Sequence, residues 1–211
     1  MATRALHVGA WLAMAGGVSL ILVNAVVTPL LPTELPFAEL AASTTFAWRQ
    51  SLAVLAALLL CLGCVALYVE QANRTGIVTL LAFLLAFSGT AFLLAHEWSQ
   101  VFVVRDLAIR LPESLAQLED ARGLTLFDIG SLVALSAFTL GWLAFAVCML
   151  ISRAYSRAGP TLLVLGFVLV PALSAVLGPT WGPLLGNLCL GMGWILLGLD
   201  LRRRASATGA A

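Results

Sequence analysis

Six apolar segments, each long enough to cross a lipid bilayer, cover most of this 211-residue chain. They lie at residues 7–31, 51–69, 76–95, 124–151, 160–177 and 181–201. A bilayer core is about 30 Å thick and an α-helix rises about 1.5 Å per residue, so about 20 apolar residues span it. The pattern therefore predicts an all-α fold, a polytopic membrane bundle of six transmembrane helices.

The composition agrees with a single membrane domain over residues 1–211. Hydrophobic residues make up 62% of the chain and charged residues 10%, against about 25% charged in an ordinary soluble domain. A net charge of +1 provides no basic surface for a nucleic acid, which excludes nucleic-acid partners. All 11 basic residues are arginine, so chemistry that needs a lysine Schiff base, with retinal or pyridoxal phosphate, is also excluded.

The distribution of arginines predicts the orientation. With the N-terminus inside, seven arginines lie in inner segments and four in outer loops, and positive residues in short loops favour the cytoplasmic side. We therefore expect a multi-pass protein of a bacterial plasma (inner) membrane with both termini cytoplasmic. Arg4 before an apolar run also fits a cleaved signal peptide, but the run continues to Leu31, which favours a retained span.

Connections between the spans differ in length. The two inner turns are short, so neighbouring helices form antiparallel up-down hairpins. The second outer loop, residues 98–123, is amphipathic, because Val101, Val104, Ala108 and Leu111 recur at helical spacing. Two interpretations stay open: a lid on the outer membrane surface, or a helical extension of the third span that packs on the bundle.

Polar residues within the spans concentrate in the outer half. The candidate ligand-binding residues are Asn24, His96, Glu97, Asp128 and Asn187. Ionisable groups inside a membrane usually face the bundle interior or a wet cavity. We expect Glu97 and Asp128, which flank the second outer loop, to share one outward-facing pocket with the two asparagines.

A simpler interpretation is that both carboxylates are interfacial. They would then be solvated by lipid headgroups or paired with an arginine, for which the candidates are Arg49, Arg105 and Arg122.

Other chemistry finds little basis in the sequence. Cys61 and Cys64 share a helix face, but the outer loops contain no cysteine, so these thiols are interpreted as packing residues. His7 lies at the inner end of the first span and His96 at the outer end of the third, so the two histidines cannot ligate one iron and a bis-histidine haem is excluded. No catalytic residue, metal ligand or cofactor is predicted.

Four short stretches carry a resemblance: HEWSQVFV at residues 96–103, LPE at 111–113, GWLAFA at 141–146 and RAG at 157–159. In these stretches the chain resembles uncharacterised six-span bacterial integral membrane proteins of the domain-of-unknown-function type. The resemblance implies the six-span fold, and because such families have no assigned activity it implies no function.

The expected function is that of a non-enzymatic membrane protein. It would bind a lipid, a lipophilic small molecule or a membrane partner through the polar pocket in its outer half. A small transporter or permease-like protein is the alternative, and a membrane-embedded enzyme comes third. Transporters are typically built with broken helices at the midplane, and Pro171 is the only strong breaker in the middle of a span, which favours binding.

Overall fold

The fold is that of an all-α membrane bundle, as predicted. The computed structural model describes residues 2–72, 76–119 and 125–209, is 92% helical and has no strand within those ranges. Six of its helices are long and apolar enough to span a membrane. They overlap the six predicted spans.

Nine helices are described in these ranges. The six long ones are α1 (Ala2–Ile21), α3 (Thr44–Gln71), α4 (Ile77–Ser99), α7 (Leu126–Ser152), α8 (Ala158–Trp181) and α9 (Pro183–Gly209). The three short ones are α2 (Phe37–Ala42), α5 (Arg105–Arg110) and α6 (Pro112–Glu119).

Recognisable sequence signals set several helix ends. Ser43 caps α3, because its hydroxyl accepts a hydrogen bond from the Phe46 backbone N–H at 3.2 Å. In the breaker-rich corner at 178–183, Gly178 adopts φ 81° and breaks α8, a left-handed conformation that glycine takes without strain. Pro183 then begins α9, and proline fits a first helical position because no N–H is needed there.

The six long helices form a closed ring. Each long helix packs against the next long helix along the chain, and α9 closes the ring by packing against α1. The chain termini share one end, where His7 Nε2 lies 3.3 Å from Ser206 Oγ. We call the opposite end the distal end.

Glycines allow α4 and α7 to pack closely in the ring. A Cβ on Gly89 of α4 would lie 2.3 Å from the backbone nitrogen of Phe138 in α7, and one on Gly141 would lie 2.5 Å from the nitrogen of Ala86. Membrane helices approach this closely through small residues. The two backbones are therefore in direct contact near the middle of the bundle.

Large side chains fill the ring from its middle towards the termini. Trp142, Phe145 and Trp194 are fully buried there, and the two indole rings lie 4.3 Å apart. Trp142 Nε1 donates a hydrogen bond to Thr90 Oγ1 at 2.9 Å, which satisfies the one polar atom of its buried ring. This part of the bundle is a packed core.

The second outer loop is largely helical. α4 continues through a π-helical turn at Gln100–Val104 into α5, giving a helix of 34 residues over Ile77–Arg110. At about 1.5 Å per residue it is about 50 Å long, well beyond a bilayer core of about 30 Å. The extension interpretation is therefore seen for residues 100–110, while residues 120–123 of that loop lie outside the described ranges.

A second apolar cluster lies at the distal end, where α6 folds back over α2. We call it the distal cap, and its buried members are Ala38, Ala41, Phe46, Val104, Ala108 and Leu115. Among the apolar residues that recur at helical spacing in the second loop, Val104 and Ala108 are buried in this cluster, whereas Leu111 is half exposed. The two long loops at the distal end are thus packed on each other.

Candidate functional site

A cavity of about 190 Å³ lies inside the ring at its distal end. Five of the six long helical segments contribute to its wall, and α8 is the one that does not. Asn24, Arg49, Glu97 and Asn187 are its polar wall residues. The structure thus brings three of the five predicted site residues to one place and adds Arg49.

The cavity is polar at its distal rim and apolar at its floor. Arg49 lies eleven residues before Leu60 in α3, a rise of about 16 Å, and both contact the cavity. Between them Ala53, Ala56 and Ala57 line the wall, and their small side chains leave the space open. The floor is closed by Leu60 together with apolar side chains from the neighbouring helices.

An ion pair forms part of the rim. Arg49 Nη1 lies 3.0 Å from Glu97 Oε2, and the side chains are 20% and 12% exposed. The same Nη1 donates to Gln50 Oε1, and Nε donates to Thr28 Oγ1 at 3.5 Å. A charge removed from water needs both a partner and further hydrogen bonds, and Arg49 has both. The contacts connect α3 to α4 and to the end of the first span.

The first span is irregular beside this ion pair. α1 continues into a π-helical turn at Leu22–Val27 and a 3₁₀ turn at Thr28–Leu30. Thr28 Oγ1 donates to the Val23 carbonyl at 2.9 Å, and Pro29 has no N–H to continue the ladder. π-Helical turns occur frequently at functional sites, and this one carries Asn24.

The rim keeps unused hydrogen-bonding capacity. Within the described ranges, no group accepts a hydrogen bond from Arg49 Nη2, and the amide of Asn187 has no hydrogen-bond partner. Asn24 Nδ2 donates to the Leu20 carbonyl at 3.0 Å, which leaves its Oδ1 as an acceptor. Donors and acceptors therefore remain for a molecule in the cavity.

Asp128 does not line this cavity. Its carboxylate accepts a hydrogen bond from the Thr125 backbone N–H at 2.9 Å and one from the Thr125 hydroxyl at 2.7 Å. Thr125 Oγ1 in turn accepts from the Asp128 N–H at 3.2 Å, which makes a capping box at the start of α7. The expectation that Glu97 and Asp128 converge is corrected: Asp128 serves the end of its own helix.

His96 faces a different space from its neighbour Glu97. It lies in a groove of about 410 Å³ between α4 and α7, with Phe92 and Gly130 among its lining residues. Its Nδ1 lies 3.2 Å from Ser131 Oγ. Adjacent helical residues point about 100° apart, which places these two side chains in separate spaces.

The four cysteines are free thiols, with Cys61 and Cys64 buried in α3. Among the residues that the structure describes, no three His, Cys, Asp or Glu side chains are grouped closely enough to hold a metal ion.

Comparison of the chain with protein-family models, curated proteins and solved structures finds no match. The chemistry of the cavity is therefore the basis for a functional interpretation.

The site residue that sequence reasoning underrated is Arg49. Because Arg49 precedes the apolar run that begins at residue 51, the sequence pattern places it in a loop. There it is one of three arginines that could pair with a carboxylate. In the structure α3 begins earlier, at Thr44, which places Arg49 within the helix. The Ser43 cap, a serine just before a helical run, is the signal that would have extended the helix.

Proposed function

We propose that this protein is an integral membrane protein that binds an amphiphile in the distal cavity. One alkyl chain of the ligand lies against the apolar floor, and its polar head lies at the rim. The observation that carries the proposal is the convergence of Arg49, Glu97, Asn24 and Asn187 on one side of an otherwise apolar cavity. Largely apolar pockets with a few convergent polar groups are the usual form of small-molecule sites.

The volume supports a single chain as the occupant. Pockets for drug-sized ligands have volumes of about 300–1,000 Å³. The cavity, at about 190 Å³, is smaller than this, which favours one alkyl chain over the two chains of a phospholipid.

The charges of the rim favour a head without a large net charge. Glu97 lies 3.0 Å from Arg49 and offsets its charge. The guanidinium Nη2 and the Asn187 amide provide donors for carbonyl or hydroxyl oxygens, and Asn24 Oδ1 can accept from a hydroxyl. A monoacylglycerol-like head therefore fits at least as well as a fatty acid, whose carboxylate is repelled by Glu97.

A small transporter is the alternative that the sequence leaves open. The packed core beneath the floor favours binding over transport. Trp142 lies one helical turn after the wall residue Phe138, and Trp194 lies one turn after the wall residue Leu190. Both tryptophans are fully buried. A solute crossing the bundle would have to displace both indoles.

We further propose that the distal end faces outwards from a bacterial plasma membrane. The excess of arginines on the side of the termini supports this orientation, and the resemblance to six-span bacterial proteins supports the membrane.

The two buried tryptophans provide a test of binding. Replacing Trp11, Trp48, Trp98 and Trp181, all at least half exposed, with phenylalanine leaves Trp142 and Trp194 as the fluorophores. The protein is reconstituted in phosphatidylcholine nanodiscs, and a fatty acid or monoacylglycerol brominated at the chain end is added. Since bromine quenches indoles at short range, we expect saturable quenching as the chain reaches the floor.

A matched pair of variants controls this experiment. Ala57→Phe fills the cavity and should abolish saturable quenching, whereas Leu58→Phe on the lipid-facing side of α3 should retain it. Quenching that never saturates, or that is the same in both variants, would show that the chain does not occupy the cavity.

A further inference from the structure

Leu135 of α7 is the exposed member of the cavity wall. It contacts the cavity and is 56% exposed, whereas every other wall residue is buried or only partly exposed. A residue that belongs to both an internal wall and the outer surface marks an opening. The exposure of Leu135 points to a lateral opening of the cavity at this residue.

The opening lies between α7 and α8. Phe138 and Phe167 join the two helices, with ring centroids 5.5 Å apart. Beyond this contact, towards the distal end, α8 has no buried residue between Val168 and Leu177. On the side of α7, Leu135 and Ser136 are exposed as well. We call this gap the lateral slot, and its lower end is the Phe138–Phe167 contact.

The distal half of α8 packs closely on the start of α9. A Cβ on Gly182, just before α9, would lie 2.4 Å from Ser174 Cα, and one on Gly186 would lie 2.7 Å from the Val170 nitrogen. The distal half of α8 is thus in direct backbone contact with the chain around the start of α9. In keeping with this, α8 packs far more extensively on α9 than on α7.

The opposite side of the rim is covered. The distal cap includes Phe46 of α3 and both Val104 and Ala108 of the α4 extension. These residues lie beyond Arg49 and Glu97 along the same helices. Access from the water above α3 and α4 is therefore restricted, while the slot faces lipid.

We infer that the lateral slot is the route by which the ligand reaches the cavity, so that the protein takes an alkyl chain from the distal leaflet of the bilayer. This inference rests on the proposed function and adds the source of the ligand. Leu135 lies nine residues after Leu126, about 14 Å along α7 and close to half of a bilayer core of about 30 Å. An amphiphile can thus slide in sideways with its chain in the slot and its head at the level of Arg49.

Order of addition tests the route. In the reporter protein with two tryptophans, the four native cysteines are replaced by alanine, and Leu135→Cys is introduced. An N-alkyl maleimide dissolved in the bilayer reacts with the thiol and plugs the slot. Leu132→Cys, similarly exposed on the same helix but outside the cavity wall, is the matched control.

Plugging before loading should prevent quenching by the brominated fatty acid. Plugging after loading should trap it, so that removal of probe by vesicles free of bromine slows by at least about tenfold, equivalent to about 1.4 kcal/mol in the barrier. The Leu132→Cys protein should exchange probe at the unplugged rate in both orders. Unchanged exchange in the plugged Leu135→Cys protein would overturn the route, even where equilibrium quenching shows that the cavity binds.

A second arm distinguishes two sources of the same alkyl chain. Nanodiscs made with phosphatidylcholine brominated at the chain ends quench the reporter directly if one chain of a bilayer lipid inserts. Quenching that requires the added fatty acid assigns the site to single-chain amphiphiles. Either outcome supports the route provided that the plug blocks it, whereas failure of both probes to quench refutes the proposed function itself.

Discussion

Removing one partner of the Arg49–Glu97 pair should destabilise the bundle by about 2 kcal/mol. Unit charges about 4 Å apart attract by about 4 kcal/mol at an effective dielectric constant of about 20, and desolvation offsets part of this. Breaking a fully buried pair costs about 3–5 kcal/mol, and an exposed pair contributes about 0–1 kcal/mol. The Arg49–Glu97 pair lies between those limits. Its side chains are 20% and 12% exposed, and Arg49 also bonds to Gln50 and Thr28.

A double-mutant cycle measures the coupling. Arg49→Gln, Glu97→Gln and the double variant are unfolded by titration with a denaturing detergent, and the coupling free energy should be about 2 kcal/mol, because the double variant leaves no unpaired charge. The control is the i,i+4 pair of Arg110 and Asp106, exposed by 75% and 56%, whose coupling should stay below about 0.5 kcal/mol. Equal coupling in the two cycles would refute the conclusion that the rim pair is buried.

Three further predictions concern the packing, the corrected residue and the orientation. Gly89→Ala should lower the unfolding free energy by more than about 2 kcal/mol, because its Cβ would lie 2.3 Å from a backbone nitrogen of α7, whereas Gly130→Ala meets nothing within 4 Å and should be tolerated. Asp128→Ala should lower the unfolding free energy by about 1 kcal/mol through loss of the capping box, and it should leave equilibrium quenching by the brominated probe unchanged. A loss of binding would show that Asp128 belongs to the ligand site. In a background without native cysteines, Ser114→Cys should react with an impermeant thiol reagent in intact spheroplasts, and Ala207→Cys should react only after lysis; the reverse pattern would invert the orientation.

Hydropathy sufficed to predict the fold and the depth of several polar residues. Length and apolar content alone determine where a helix can span a bilayer. Asn24, Glu97 and Asn187 each lie within a few residues of the distal end of the span predicted from the sequence, and all three line the distal cavity. The depth of a residue in the membrane does not determine in which direction its side chain points around the helix. The sequence therefore placed Asp128 with Glu97, whereas in the structure its carboxylate bonds to Thr125 three residues earlier.

Features that depend on packing between helices could not be predicted from the sequence. The distal half of α8 contacts the start of α9 through Gly182 and Gly186, and no periodicity in a single segment reveals which neighbour a glycine faces. The partner of Glu97 was similarly ambiguous, since three arginines lay at comparable depth and only the distance of 3.0 Å selects Arg49.

The position of a ligand chain in the protein tests the central claim most directly. A crystal or cryo-EM structure is determined in lipid with a monoacylglycerol brominated at the chain end, and the bromine is located by its anomalous signal or its density. We predict bromine on the cavity floor, between Leu60, Phe138 and Leu190, with the head near Arg49. Bromine found only on the outer surface of the ring, with the cavity holding water alone, would contradict the account.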